Sequence, residues 1–569
     1  MISNSKVVRK FLPENLSFES WKNLEPFFEE LKNRKISSAE ELEDWLKDRS
    51  ELDSVMEEEM GWRYIRMNIN TKDEEKQKAF EFFVQEISPK IAPYQNDFNQ
   101  KLVESPYLKE LDQEKYRVML RGIKKQIEIY REKNIPLFTQ LEQDSQKFGM
   151  LSAKMVIPFK GKDYTLQQAT KFLKSPDRQV RQEVYELIAQ RRLEDSEELN
   201  KLYSHLIGMR DQVAKNAGFG NYRDYMFAAM GRFDYSPEDC ENFQDSVASE
   251  VVPVNNLLDA QRKQSLGLEK LKPWDMSVDP TGKDPLHPFE TGKELLNKAV
   301  ECLNRVDPYF GECLRTMDEM GHLDLESKEG KAPGGFNYPL YESGVPFIYM
   351  NAVGLFRDVI TMLHEGGHAI HSFLSDDLEL IDFKNFPSEV AELASMSMEL
   401  LSMDHWEVFF ENEEDLRRAK REQLTGVLGT LPWVAAIDKF QHWVYTHIGH
   451  SLEERYEKWS ELMDEFGSSV TNWEGQEATR MNSWQRQLHL YEVPFYYIEY
   501  GFAQLGAIAM WRNYKNDPKK AIQQYKEALK LGYTKPIGEI YQTAGIAFDF
   551  STEYVKDLIS FVEEELAKV

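Results

Sequence analysis

Two histidines four residues apart, with a glutamate directly after the first, constrain this chain more than any other feature. They stand in Leu363-His364-Glu365-Gly366-Gly367-His368-Ala369-Ile370-His371. On a helix, positions i and i+4 share a face one turn apart, so both imidazoles project to the same side. That geometry supplies two nitrogen ligands of a tetrahedral zinc. Glu365 points to the side where a bound water would sit and can act as general base. Phe356, Val359, Ile360, Leu363, Ile370, Phe373 and Leu374 recur at helical spacing. They predict a helix over 355–374, with the histidines at the edge of its apolar stripe. Glycine in mid-helix costs about 1 kcal/mol relative to alanine. Gly366 and Gly367 therefore predict a close approach by another backbone or a substrate.

A catalytic zinc needs three protein ligands and an open position. The stretch from Pro387 to Glu399 opens a second helix, with Ser388 as its expected N-cap. Glu389, Glu392 and Glu399 fall on one face of it. Glu389, in the first turn, is explained by the helix dipole alone. Glu392 and Glu399 lie among Leu393, Met396, Met398 and Leu400, where a merely solvated charge is out of place. Glu392 is expected as third ligand and Glu399 as hydrogen-bond acceptor for a ligand histidine. His371 shares the ligand face but is expected to support the site, since a fourth protein ligand would close it.

Further segments carry a resemblance. Gly334-Gly335-Phe336 and Pro346 to Asn351 precede the motif helix, and His489 precedes Pro494-Phe495-Tyr496-Tyr497-Ile498-Glu499-Tyr500. Gly532-Tyr533-Thr534-Lys535-Pro536 and Ala544 to Phe550 follow further along the chain. With the motif itself, these resemble peptidase family M3, the thimet oligopeptidase and oligoendopeptidase F zinc peptidases, and in particular the oligoendopeptidase F branch. The likeness spans residues 150 to 565, and Gly366 departs from it, a bulkier residue being usual there. The resemblance implies a mainly α, two-lobed, zincin-type fold with a deep substrate channel and a small β-sheet beside the motif helix. It implies one zinc ion per chain and hydrolysis of internal bonds in short, unstructured peptides. It places His489 and Tyr500 where the family binds the oxyanion, with Tyr497 lining the same face and Tyr496 a rival. Donors aimed at the charge that builds on a carbonyl oxygen stabilise the transition state.

The formal net charge of −27 argues against non-specific nucleic-acid binding. A hydrophobic content of 41% suffices for a sizeable core in 569 residues. Cys240, Cys302 and Cys313 are odd in number and form no CxxC, so neither a disulfide framework nor a thiolate metal site is expected. No apolar leader follows Met1 and no long apolar run occurs, so a cytoplasmic protein without membrane contact is expected. Oligomeric state stays open.

Along the chain, residues 15 to 150 read as charged amphipathic helices. Ser38-x-x-Glu41 and Thr71-x-x-Glu74 read as capping boxes, and Ser105-Pro106 as a helix start. Val156 to Phe159 and Tyr164 flank a Lys160-Gly161 turn and predict a hairpin. The domain boundary is placed there: an N-terminal helical domain over 1–160 and a catalytic region over 161–569. His205, His287, His322 and His405 are expected to serve packing or surface. His442, His447 and His450 lack an acidic residue at ligand spacing, so no second metal site is expected. Residues 331 to 351 predict two short strands whose edge an extended peptide could join. Gly334, Gly335, Phe347, Tyr349 and Tyr496 are accordingly the expected substrate-binding residues. Two other functions fit the motif. A helical zinc carboxypeptidase would need a fixed cation for the terminal carboxylate, and none is identifiable. A non-catalytic peptide-binding relative would have little use for Glu365.

Overall fold

The computed structural model describes residues 9–569, most of them in helices joined by short connections. The chain divides into two compact units, each assembled from separated stretches. The first comprises the chain up to Tyr130 with His287–Leu416 and Gly506–Phe548. The second comprises Arg131–Leu286, Arg417–Leu505 and Asp549–Val569. Among the described residues, no helix is long and apolar enough to cross a membrane.

In the first unit, the long helix Ala39–Ile69 begins where the sequence predicts. The Ser38 hydroxyl accepts from the Glu41 amide at 3.1 Å. Its buried face, including Leu42, Trp45, Leu52 and Val55, packs with Phe28 and Phe98 into one apolar core. The Trp45 indole donates to the Leu31 carbonyl at 2.9 Å, so that the buried ring leaves no polar atom idle. Thr71 does not cap the next helix. Asp73 does, its carboxylate accepting from the Glu75 and Lys76 amides. An ionised acceptor at the helix start also gains from the dipole, which is why it displaces the threonine.

Three strands follow one another in the same unit: Leu323–Glu326, Phe336–Tyr338 and Phe347–Ala352. The third lies in the middle of the sheet, parallel to the first and antiparallel to the second. The strand Phe347–Ala352 is therefore not the expected edge; Phe336–Tyr338 is. Phe347 and Tyr349 consequently face the interior and not a substrate. Phe347 packs edge-on against Trp62 at 5.8 Å between ring centroids. Tyr349 stacks on Phe336 at 4.7 Å and its hydroxyl donates to the Asn68 and Ala332 carbonyls. The cause is pairing order: a strand bonded on both sides and covered on both faces buries successive side chains alike.

In the second unit, the predicted hairpin forms between Val156–Phe159 and Lys162–Thr165. Lys160 and Gly161 supply its turn with φ of 48° and 77°. A helix running from Glu413 to Thr446 supplies this unit with residues 417–446, buried along Leu424, Leu428, Leu431 and Phe440.

Candidate metal centre and the histidine–tyrosine segment

The helix Phe356–Ser375 carries the H-E-x-x-H motif and packs against the helix Ser388–Leu401. Their closeness depends on Gly367. A Cβ there would lie 2.6 Å from the Ser395 Cα and 2.8 Å from the Ala394 carbonyl oxygen. At Gly366 a Cβ would meet only Leu303 and Leu314, at 3.6 and 4.0 Å. Of the two glycines expected to permit a close approach, only Gly367 is needed for it.

This contact brings Glu392 to the histidines. One ligating atom from each of His364, His368 and Glu392 lies within 4.8 Å of the other two. The Glu392 carboxylate stands 3.4 Å from Nε2 of His364 and 3.8 Å from Nε2 of His368. Donors bound tetrahedrally at zinc distances are roughly 3.3 Å apart, so these residues fit a zinc ion with little adjustment. Glu399 lies 2.7 Å from Nδ1 of His364, leaving Nε2 directed at Glu392. Ser395 donates to the Glu392 carboxylate at 3.1 Å. Sequence reasoning missed Ser395, although its place three residues after Glu392 puts it on the same face.

The charges follow from this packing. Burial opposes ionisation of Glu392, yet its hydrogen bond to His364 and the nearby His368 hold the carboxyl down at about 2. Burial also opposes a charge on His364, but Glu392 and Glu399 outweigh it and raise the imidazole well above its ordinary range. Burial lowers His368 to about 4. Glu365 is pushed up to about 7, chiefly by burial and also by Glu392, against the pull of His364 and a backbone hydrogen bond from Asn337. A Cβ on Gly335 would stand 4.0 Å from a Glu365 carboxylate oxygen, so Gly335 lies beside the expected base. Gly334 has a φ of 106° with open space where a side chain would begin. His371 is fully buried and stacks on Phe386 at 3.5 Å between centroids, outside the donor set.

His489, Tyr496, Tyr497 and Tyr500 belong to the second unit and form a cluster of rings there. His489 lies 5.9, 4.8 and 5.8 Å from Tyr496, Tyr497 and Tyr500 between centroids. Only Tyr500 stands on the helix that begins at Ile498; Tyr496 and Tyr497 occupy the turn before it. Phe495 opens that turn with a φ of 69°, a conformation strained for a bulky residue. Its amide donates to Oε1 of Gln441 at 2.6 Å, and its carbonyl accepts from Arg232. Arg232 is also paired with Glu499 at 2.9 Å. The helix carrying Gln441 thus fixes the backbone on which the tyrosines stand. One expectation about this helix needs correction. An acid does stand at ligand spacing from His442, for Asp438 precedes it by four residues. Asp438, His442 and Cys240 bring their donor atoms within 4.8 Å of one another. The His442 ring packs on Phe495 at 5.6 Å, and Asp438 accepts from Gln244 at 2.8 Å.

A mostly helical chain whose H-E-x-x-H helix packs on a carboxylate-bearing helix has the features of the helical zincin class. The family model of peptidase family M3 matches residues 171–559, and that of the peptidase M3 N-terminal domain matches 13–130. The chain belongs to peptidase family M3. The chain is similar to an oligoendopeptidase F homolog of Borreliella burgdorferi, with 25% identity over 70% of this chain and 65% of that one. It is similar to oligopeptidase PepF of Bacillus subtilis, with 22% identity over 75% of this chain and 63% of that one. It thus spans just under two thirds of the length of these curated relatives. A solved structure of PZ peptidase A with an inhibitor superposes with a TM-score of 0.91 at 28% identity, covering 98% of this chain and 99% of the other.

Proposed function

We propose that this protein is a zinc-dependent oligoendopeptidase that hydrolyses internal bonds of short, unstructured peptides. The observation that carries the reading is the convergence of His364, His368 and Glu392 beside Glu365. Membership of peptidase family M3 and the likeness to oligopeptidases support it. His364 and His368, each through Nε2, and Glu392 through its carboxylate would hold one zinc ion. Zinc in such a site supplies Lewis acidity, acidifying a water molecule and polarising a carbonyl. Glu365 takes the proton of the attacking water as the new C–O bond forms. It then delivers that proton to the amine as the C–N bond breaks. His489 and Tyr500 donate hydrogen bonds to the carbonyl oxygen while its charge develops. Glu399 holds the His364 ring by its other nitrogen. The edge strand Phe336–Tyr338 offers main-chain groups to an extended peptide, with Gly334 and Gly335 leaving room beside it. A catalytic region beginning after residue 160 and a cytoplasmic location complete the proposal.

The test is an internally quenched nonapeptide blocked at both ends, given to wild type and to Glu365→Gln, with bound zinc counted in each. Cleavage of an internal bond by wild type alone, with about one zinc in both proteins, is the expected result. Zinc in both proteins and cleavage by neither would overturn the endopeptidase reading.

A further inference from the structure

Beside the ring cluster, three side chains form a relay whose polarity is fixed at one end. Nε1 of Trp433 donates to Oε1 of Gln487 at 2.9 Å. The amide nitrogen of the same Gln487 lies 2.6 Å from Nδ1 of His489. An indole N–H can only donate, so the glutamine must present its oxygen to Trp433. Turning the amide over would set its NH2 against the indole N–H, donor to donor. The NH2 group is therefore directed at His489, and an NH2 group has no lone pair to offer an imidazole N–H. Nδ1 has to be the acceptor. A neutral imidazole carries one proton, which then resides on Nε2.

The fixed end is itself held rigidly. The Arg486 guanidinium lies over the Trp433 ring at 4.3 Å, and Trp459 meets that ring edge-on at 5.6 Å. The indole cannot easily turn its N–H away, and Trp433 and Gln487 are both partly shielded from water that would compete for these bonds.

We propose that Trp433 and Gln487 are positioning residues that set the tautomer of His489, so that Nε2 always bears the hydrogen the oxyanion requires. The catalytic consequence rests on the role given to His489 above; the tautomer itself does not. With the other tautomer, Nε2 would present a lone pair to a developing negative charge and oppose the reaction. The relay removes that state without giving His489 a charge.

The experiment uses the full-length protein with zinc added, labelled with 15N in its histidines, and His489 assigned by comparison with His489→Gln. The wild-type spectrum is expected to show an unprotonated Nδ1 and a protonated Nε2 at a pH where the ring is neutral. In Trp433→Phe the amide is free to turn, and the His489 signals are expected to move to values between the two tautomers. Alongside, kcat is expected to fall roughly 10-fold with KM unchanged, part of what losing a whole oxyanion donor costs. Gln487→Leu, which removes both bonds without touching the packed indole, is expected to give the same two changes. It serves alone should Trp433→Phe not fold. A proton on Nδ1 in wild type, or an unchanged spectrum in both variants, overturns the relay. A shifted tautomer with unchanged kcat overturns its catalytic consequence and, with it, the oxyanion role of His489. If His489→Gln cuts as fast as wild type while the tautomer responds as described, the fault lies in the proposed function and not in the relay.

Discussion

Nδ1 of His364 lies 2.7 Å from a carboxylate oxygen of Glu399, seven residues along the helix from Glu392. One helix thus supplies both the carboxylate that completes the donor set and the one that orients a donor. An imidazole that gives its Nδ1 proton to a carboxylate presents a more basic, better-aimed Nε2 to a metal. Glu399→Ala is expected to weaken zinc binding about 10- to 100-fold while the fold persists. Competition with a chromophoric chelator measures this. Unchanged affinity would mean that His364 is oriented by its surroundings and not by Glu399.

The two motif glycines should respond in opposite ways to the same substitution. At Gly367 the added methyl meets backbone atoms of the neighbouring helix, which no rotamer change can move aside. Gly367→Ala is expected to destabilise by about 1–3 kcal/mol and to lower zinc affinity, because Glu392 is carried on the displaced helix. At Gly366 the methyl meets Leu303 and Leu314 at ordinary contact distances. Gly366→Ala should therefore be neutral, or stabilising by up to about 1 kcal/mol from helix propensity. Urea unfolding of the two variants side by side decides between them.

How much of this was legible in the sequence depended on the range over which each feature is encoded. His364 and His368, and separately Glu392 and Glu399, share helix faces through local periodicity, and the structure puts these four side chains together. Sheet order is not local. Phe347 and Tyr349 look like edge residues until the strand Leu323–Glu326 is known to pair on the other side. The Thr71 capping box failed because Asp73, two residues on, is the better acceptor. Trp433 and Gln487 are 54 positions apart, and nothing in their spacing hints at a bond. Asp438, by contrast, is legible in the sequence at four residues from His442, one helical turn away.

The turn that carries the tyrosines depends on a buried side chain of another helix. Gln441 accepts from the Phe495 amide at 2.6 Å, and both residues are fully buried. Leucine in place of Gln441 would keep the volume and remove the acceptor, stranding an N–H in a left-handed turn. Leaving a buried donor unpaired costs about 1–3 kcal/mol. Gln441→Leu should show that loss in urea unfolding, and also a lower kcat, since Tyr496 to Tyr500 follow directly. A stability loss without any change in kcat would show that the turn keeps its geometry without this bond.

Asp53 offers a pH signature in the first unit. Burial pushes its carboxyl up to about 6 from an ordinary 3.8, with Asp382 adding to the rise and Arg49 and a hydrogen bond from Gln95 opposing it. The folded chain therefore keeps a proton between about pH 4 and 6 that the unfolded chain has already released. Stability rises with pH only where the unfolded state binds more protons. Here the folded state binds more, so the contribution of Asp53 is fully present below the unfolded value and is lost as pH rises through the folded one. Asparagine cannot ionise and escapes that loss. Arg49, whose Nε stands 3.5 Å from Asp53, loses that charge partner in the variant at every pH. It keeps the Gln95 and Asn99 side-chain oxygens as acceptors at 2.8 and 2.9 Å, so the substitution adds an offset that does not vary with pH. Asp53→Asn is thus expected to gain on wild type as pH rises from 4 to 8, by on the order of 2 kcal/mol in urea unfolding free energy. A difference between the two proteins that stays constant over that range would show that Asp53 ionises normally in the folded chain.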